Sequence, residues 1–267
     1  MKLTPTNPEP GEHNMSVGGR NVKTIGKAAF ERRHYVAARN MVRLYEAPVE
    51  MFRRYLTTSG EYPYTAHVRT PMGELELQLY SPDDVRTVNE IFCRLDYDAD
   101  ADDKVIVDFG SNIGISAAYF LSRGPDVFAY LYEPLPRNVE RLRRNLDRFS
   151  QRYRLEEVAV GPTSGEVQFG WEETGRYGGV GAAWENSMTV QCLRSCDILE
   201  RVVDEHGVID VLKVDIETLE EAVVKGIPSG LAPRIRKIYV EYVFADNPLA
   251  RTHIHRQYGG IAQFLPR

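Results

Sequence analysis

Residues 105–114 join a buried-strand pattern directly to a glycine-punctuated turn, and a helical pattern follows. The apolar run of the strand ends at Asp108, and Gly110 and Gly114 punctuate the turn. Glycine lets a backbone turn sharply and approach a ligand closely, so this order of elements is typical of a nucleotide-like ligand site. A dinucleotide fingerprint has glycine where this chain has Asn112. The turn therefore predicts a nucleotide-like ligand other than a dinucleotide.

Strand and helix patterns alternate beyond residue 104. The predicted strands cover residues 104–109, 127–132, 154–160, 209–215 and 236–243. The predicted helices cover residues 113–123, 136–149, 195–206 and 217–226. This alternation predicts an α/β fold with a doubly wound, mainly parallel sheet. An insertion at 163–191, rich in glycine, interrupts it and is either a specificity element or a surface loop.

The N-terminal segment, 1–60, is predicted to be an attachment to this core. Residues 1–22 carry several prolines and glycines and are expected to be a flexible arm. A helix pattern from Lys27 presents one apolar face, made of Phe30, His34, Ala37, Ala38, Met41 and Tyr45. A second, shorter helix is expected to turn Val49, Phe52 and Leu56 inward. These helices form either a lid or a packing or dimerisation element, and a homodimer stays open.

Residues 61–267 are predicted to be one domain, with its core at 104–243. It begins with a hairpin, residues 67–70 and 75–80, followed by a helix that Ser81-Pro82-Asp83-Asp84 opens as a capping box. The inward face of that helix consists of Val85, Val88, Ile91 and Phe92. Only the segment 244–267 follows Val243. That length is tight for a final helix and an antiparallel hairpin, so either an abbreviated edge or a partner chain is expected.

Charge and composition narrow the function. The chain has a net charge of −5, but residues 1–60 hold ten basic and five acidic residues, so the remainder is at −10. An acidic core disfavours nucleic acid as substrate. No apolar run approaches the roughly 20 residues that a bilayer requires, so no membrane span is expected. Three cysteines are too few for a disulfide framework and favour a cytoplasmic protein.

The residues that end the predicted strands are the candidate ligand contacts, because ligands of open α/β sheets bind there. Asp108 ends the first strand, and Glu133 ends the second. Their spacing is close to the roughly 20 residues at which a carboxylate accepts hydrogen bonds from two ribose hydroxyls. Ala159 and Val160 close the third strand with small, apolar side chains that suit an adenine edge.

Several motifs together carry a family resemblance. The pattern Asp108-x-Gly-x-Asn-x-Gly resembles motif I of class I S-adenosylmethionine-dependent methyltransferases. With Tyr132-Glu133-Pro134, the downstream Asn138 and Asn145, Leu212-Lys213-Val214-Asp215-Ile216-Glu217 and Val240-Glu241, residues 65–245 resemble the FkbM methyltransferases. The resemblance implies a Rossmann-like fold and an S-adenosylmethionine site. Its implied contacts are Asp108, Gly110, Ser111, Asn112, Gly114, Glu133, Pro134, Ala159, Val160 and Asp215.

The same resemblance implies O-methylation of a hydroxylated small molecule, such as a sugar or secondary metabolite, with S-adenosylhomocysteine as the second product. Candidates for the base that removes the hydroxyl proton are Asp215, which is preferred, and Glu217, Glu241, His253 and His255. Asp215, Glu217 and Glu241 could instead hold a divalent cation. N-methylation and a non-catalytic accessory subunit stay open as alternatives.

One residue departs from the family pattern. The family usually has glycine after Asp-x-Glu, where this chain has Thr218. Because a β-branched residue has fewer backbone options than glycine, an altered turn is expected at that corner. The acceptor is expected to be selected by the N-terminal helices, the 163–191 insertion and the C-terminus.

Overall fold

The computed structural model describes residues 16–17, 20–21, 32–175 and 177–267. Most of the predicted flexible arm lies outside the described residues. The strands are β1 (Ser16–Val17), β2 (Arg20–Asn21), β3 (Tyr64–Thr70), β4 (Gly73–Leu79), β5 (Val105–Phe109), β6 (Phe128–Tyr132), β7 (Tyr153–Glu156), β8 (Ala159–Gly161), β9 (Gly165–Trp171), β10 (Gly178–Val180), β11 (Asn186–Arg194), β12 (Ile209–Val214), β13 (Ile235–Val240), β14 (His253–Tyr258) and β15 (Ile261–Pro266).

The α-helices are α1 (Arg32–Leu44), α2 (Pro48–Thr57), α3 (Pro82–Val88), α4 (Ile115–Leu121), α5 (Pro136–Asn145), α6 (Ser195–His206) and α7 (Glu220–Lys225). A π-helical turn, Asn89–Cys93, continues α3, and 3₁₀ turns lie at Asp147–Phe149 and Ala232–Arg234. No helix in the described ranges is both long enough and apolar enough to cross a membrane.

A seven-stranded sheet in the order β14-β15-β13-β12-β5-β6-β7 forms the centre of the protein. The five strands from β13 to β7 are parallel, so their carboxyl ends meet along one edge. Two hydrophobic clusters lie on opposite faces of this sheet: Ile106 of β5 belongs to one, and Val107 and Phe109 to the other. The α/β, doubly wound, mainly parallel architecture is therefore confirmed.

The N-terminal helices pack into the first of these clusters. Met41 of α1 and Tyr45, which directly follows α1, are buried there, as predicted, and the Tyr45 hydroxyl donates to Asn89 Oδ1 at 3.2 Å. The predicted hairpin is formed by β3 and β4. The predicted capping box is present as well, since Ser81 and Asp84 exchange side-chain and backbone hydrogen bonds around Pro82.

The predicted inward face of the second helix is confirmed for Phe52, which packs against the first cluster, and is wrong for Val49 and Leu56. Val49 is 81% exposed and Leu56 is 50% exposed, whereas Met51 and Arg54 are buried. Arg54 can lie inward because its guanidinium donates to Glu50 and to the Glu61 carbonyl and stacks 3.9 Å from the centre of the Tyr64 ring. A pattern of apolar residues alone does not indicate a buried arginine with satisfied donors.

The predicted third strand, 154–160, is two strands in different sheets. β7 is the edge of the central sheet, while β8 pairs in parallel with β11 in a second sheet of order β10-β9-β11-β8. The chain leaves the strand conformation at Glu157 and Val158 between them. β7 is partly buried and β8 is buried, and their combined hydrophobic pattern resembles that of one continuous strand.

The chain itself forms the antiparallel hairpin at this end of the sheet but, over the described residues 241–267, lacks the final helix, so of the two expected alternatives the abbreviated edge is found and a partner chain is not required. β15 pairs antiparallel with β13, and β14 pairs antiparallel with β15. The short C-terminal segment suffices because no helix precedes the hairpin: positions 241–252 form an irregular connection. His253 and His255 therefore lie in a strand and not in a loop.

Candidate cofactor and acceptor site

The turn after β5 touches the turn after β12 directly. Gly110 has φ +79°, and a Cβ built on it would lie only 1.7 Å from the backbone oxygen of Asp215. Glycine is thus required there both by conformation and by contact. Asn112 also has a positive φ, +47°, which asparagine tolerates better than most residues. This explains why asparagine can stand where a dinucleotide fingerprint has glycine.

Glu133 lies at the end of β6 and is buried. Its carboxylate accepts hydrogen bonds from the backbone N–H groups of Asn112, at 2.9 Å, and Leu135, at 3.0 Å. Burial outweighs these bonds and raises the pKa of Glu133 to about 7. The carboxyl group is therefore an acceptor held next to the turn after β5, ready for ligand hydroxyls.

Glu133 borders a narrow slot of about 50 Å³. The predicted contacts Pro134, Ala159 and Val160 line it, and all three are buried. The second sheet closes it through Phe169, Gly178 and Val180. The sequence-predicted adenine edge and ribose acceptor therefore share one slot.

A buried lysine that the sequence reasoning missed links the two turns. Lys213 Nζ lies 3.0 Å from Asp108 Oδ1, 2.9 Å from the Gly110 carbonyl oxygen and 3.2 Å from Asp215 Oδ2. Burial lowers its pKa, but the two carboxylates outweigh burial and raise it. The signal was in the sequence: a lysine within the all-buried strand β12 needs carboxylate partners.

Asp108 itself points away from solvent. Its second oxygen, Oδ2, accepts from Ser116 Oγ at 2.6 Å, and the residue is 0% exposed. Ser111 is also buried, and its Oγ donates to the Asp108 carbonyl oxygen at 3.0 Å. Gly114 has φ +84° and is the N-cap residue of α4. In this geometry Asp108 and Gly114 shape the turn without lining either cavity, whereas Gly110, Ser111 and Asn112 line the cavities.

Asp215 and Glu241 form a carboxyl pair at the ends of β12 and β13. The negative charge of Asp215, followed by partial desolvation, raises the pKa of Glu241 to about 8. The pair therefore holds one proton near neutral pH. Glu241 is exposed, so that proton can exchange with solvent.

This carboxyl pair lines a second, larger cavity of about 270 Å³. The two cavities share Gly110, Asn112, Asp215 and Glu217, so they form one groove along the carboxyl edge of the sheet. The insertion contributes Tyr177, and the β14–β15 turn contributes residues 258–261. In the described ranges no residue of α1 or α2 lines it; α3 and the π-helical turn do so instead.

The corner after Asp215 keeps a glycine-like conformation despite its threonine. Glu217 and Thr218 have φ values of +55° and +76°. Thr218 Oγ1 donates to the Val180 carbonyl oxygen at 3.1 Å, which ties this strained turn to β10. Thr218 thus adopts a left-handed backbone conformation that glycine adopts more easily.

His253 and His255 are not brought together with the carboxyl pair. His253 Nε2 donates to the carbonyl oxygen of Ile235, the first residue of β13, at 2.8 Å. That is the amino end of the strand, opposite the cavities. Burial lowers the pKa of His253, and the His255 ring stacks on Phe264. Both histidines pack within the C-terminal sheet edge.

Metal-ligand geometry occurs elsewhere in the described part of the chain. Glu46, His67 and Glu74 place ligand atoms within 4.8 Å of one another on the exposed side of the hairpin. No such mutual approach of ligand atoms is found among Asp215, Glu217 and Glu241. The cation alternative thus gains no support from the arrangement of these three acids.

The fold and its strand-end geometry define an α/β protein of the class I methyltransferase type. The model of the methyltransferase FkbM domain matches residues 108–266, more than half of the chain. The protein therefore belongs to the FkbM methyltransferase family, as its motifs predicted.

One curated relative is the AMB antimetabolite synthetase AmbE of Pseudomonas aeruginosa, 25% identical over 176 residues. The match covers 52% of this chain but only 8% of that protein. Among solved structures, an O-methyltransferase family protein from Burkholderia thailandensis is 10% identical with a TM-score of 0.40, covering 70% of this chain and 58% of the other. An rRNA methylase from Streptococcus thermophilus is 8% identical with a TM-score of 0.35, covering 62% and 87%.

Proposed function

We propose that the protein is an S-adenosylmethionine-dependent O-methyltransferase acting on a hydroxyl of a sugar or secondary metabolite. The observation that carries this proposal is the Asp215–Glu241 carboxyl pair, which lies beside the Gly110 turn in the larger cavity. Membership of the FkbM methyltransferase family supports the methyl-transfer chemistry. The pair supports a hydroxyl acceptor, because a hydroxyl must lose a proton during the transfer.

The residues of the groove fit the cofactor. Glycine at 110 lets the backbone approach a ligand, and buried Glu133 offers carboxyl oxygens to the ribose hydroxyls. Apolar Ala159 and Val160 suit the adenine ring. When bound, S-adenosylmethionine supplies a methyl group on a positively charged sulfur. Asp108, Lys213 and Asp215 together carry one net negative charge, which favours a cation in the groove.

The carboxyl pair suits the role of base. General-base catalysis is most effective when the pKa of the base lies near the working pH. The pKa of Glu241, about 8, meets this condition because Asp215 is beside it. Lys213 holds Asp215 at 3.2 Å and so orients the pair toward the cavity. The remaining task of the chain is to align the hydroxyl with the methyl group.

The acceptor is proposed to be a small molecule. The larger cavity is bordered by the aromatic rings of Tyr97, Tyr177 and Tyr258. Residues 61–267 are acidic overall, which disfavours the phosphate backbone of nucleic acid. N-methyltransferases that act on planar amines carry Asn/Asp-Pro-Pro-aromatic at the end of the fourth strand. Here Asp215-Ile216-Glu217-Thr218 occupies that position, which favours the hydroxyl acceptor.

Turnover with methyl-labelled S-adenosylmethionine tests the proposal. The purified chain is incubated with a panel of sugars, macrolides and matched amines, and the labelled atom is located by NMR. We expect O-methyl products, a loss of at least 100-fold for Asp215→Asn, and full activity for Asp246→Asn, an exposed acid outside the groove. Products methylated only on nitrogen would overturn the O-methyl proposal. Full activity of Asp215→Asn would overturn the base assignment.

A further inference from the structure

We infer that Asn138 binds the adenosyl part of the cofactor through its side-chain oxygen. This inference rests on the proposed function. Asn138 lies in the first turn of α5, is 3% exposed and lines the narrow slot beside Glu133. Its Oδ1 is buried without a hydrogen-bond partner, one of three such side-chain atoms in the described part of the chain. Leaving a buried acceptor without a partner is unfavourable, so this oxygen marks a place where a ligand donor can bind.

The orientation of the Asn138 amide is determined by its neighbours. The Nδ2 atom donates to the Gly175 carbonyl oxygen at 2.8 Å and to Glu133 Oε1 at 3.4 Å. Turning the amide over would set Oδ1 against the Gly175 carbonyl, which can only accept. The nitrogen therefore faces these two oxygens, and Oδ1 is the atom left for a ligand.

Glycine at 175 keeps the space beside this oxygen open. A Cβ added to Gly175, where φ is +78°, would lie 3.1 Å from Asn138 Oδ1. The loop that contains Gly175 is held against α5, because Arg137 of α5 donates to the Glu173 carbonyl oxygen at 2.7 Å. The loop thus approaches Asn138 closely without blocking Oδ1.

The chemistry of the slot specifies the ligand group. One part of its wall is apolar and is formed by Leu135, Val158, Ala159, Val160, Phe169 and Val180. Its polar side chains near Asn138 are acceptors, Glu133 and Oδ1 itself. A flat apolar ring carrying neutral donors matches such a slot. The donor for Oδ1 is either the exocyclic amine of adenine or a ribose hydroxyl, and the two are separable by ligand analogues.

Calorimetry on the whole chain tests this inference with three probes. S-adenosylhomocysteine has both donors, S-inosylhomocysteine replaces the amine by a carbonyl oxygen, and the 2′-deoxy analogue lacks one hydroxyl. We expect one analogue to bind wild type at least tenfold more weakly than S-adenosylhomocysteine. For that analogue, the ratio of its Kd to the Kd of S-adenosylhomocysteine should fall to about twofold or less in Asn138→Ala. The group that this analogue lacks is then the donor to Asn138 Oδ1.

Two further variants separate this role from general stability. Gly175→Ala crowds Oδ1 while keeping the asparagine, and it too should reduce the ratio. Asn145→Ala removes a buried asparagine of the same helix whose hydrogen bonds go to Gln78 and Ile113, so it should keep the ratio. An unchanged ratio in Asn138→Ala and Gly175→Ala overturns the inference and leaves the proposed function intact, because water then satisfies Oδ1. Failure of S-adenosylhomocysteine to bind wild type overturns both.

Discussion

Replacing Lys213 by methionine should destabilise the protein strongly. Lys213 is 2% exposed and Asp108 is 0% exposed, and their charged atoms lie 3.0 Å apart. Methionine preserves most of the side-chain volume but leaves the Asp108 carboxylate buried with no cation beside it. Breaking a buried ion pair in this way costs about 3–5 kcal/mol. Asp215 adds little to the loss, because its side chain is 28% exposed and water can solvate it.

Urea unfolding followed by circular dichroism measures this loss. For a chain of this size, about 4 kcal/mol corresponds to a fall in Tm of roughly 10 °C. The pKa of Lys213 is raised, so its contribution is fully present below its unfolded pKa, about 10.4, and is lost only at higher pH. Lys213 therefore stays protonated between pH 6 and 9. Its titration should contribute nothing to any pH dependence of the stability difference between variant and wild type in that range.

Two controls give this prediction its specificity. Asp108→Asn combined with Lys213→Met should recover much of the lost stability, because no buried charge is then left without a partner. Lys225→Met removes a lysine from an exposed pair with Glu221 and should change the unfolding midpoint little. If Lys213→Met unfolds at the same urea concentration as wild type, the linking role assigned to Lys213 is wrong.

Three other measurements test separate parts of the site. The folded-state pKa of Glu133, about 7, lies above its unfolded value. The contribution of Glu133 to the free energy of unfolding should therefore fall by about 3 kcal/mol as pH rises from about 4 to 8. Urea unfolding of Glu133→Gln should show little of this fall. With Asp215 and Glu241 as the base, kcat/KM should rise with pH to a plateau above about 8, and a pH-independent kcat/KM would refute the pair. Thr218→Gly should leave turnover within about threefold, since Thr218 already has φ +76°; a large gain would favour the accessory-subunit hypothesis.

The sequence predicted the strand-end residues well because parallel strands place their carboxyl ends on one edge. Asp108, Glu133, Asp215 and Glu241 each follow an apolar strand pattern, and the structure brings them to that edge. The glycine spacing likewise predicted the turn after β5. Local chemistry of this kind depends on residues near each other in the chain, so it can be read without knowing the packing.

Features that depend on distant contacts were not predictable in this way. Lys213 gains its role from Asp108, which lies far earlier in the chain. The inward position of Arg54 depends on the Tyr64 ring and the Glu61 carbonyl, which a helical pattern does not describe. His253 resembles a candidate base by residue type, but the pairing of β14 with β15 places it at the opposite end of the sheet. Asn138 was recognised as part of the family motif, but nothing in the sequence indicates that its side-chain oxygen has no hydrogen-bond partner.

Calorimetric titration with S-adenosylmethionine tests the central claim most directly. We expect wild type to bind it, and Gly110→Ala to bind at least tenfold more weakly, because its Cβ would meet the Asp215 carbonyl oxygen. Gly73→Ala is the matched control: Gly73 also has a positive φ, +95°, but nothing lies within 4 Å of its added Cβ. Binding by wild type and Gly73→Ala that is lost in Gly110→Ala is the predicted result. No binding of S-adenosylmethionine by folded wild-type protein would contradict the account.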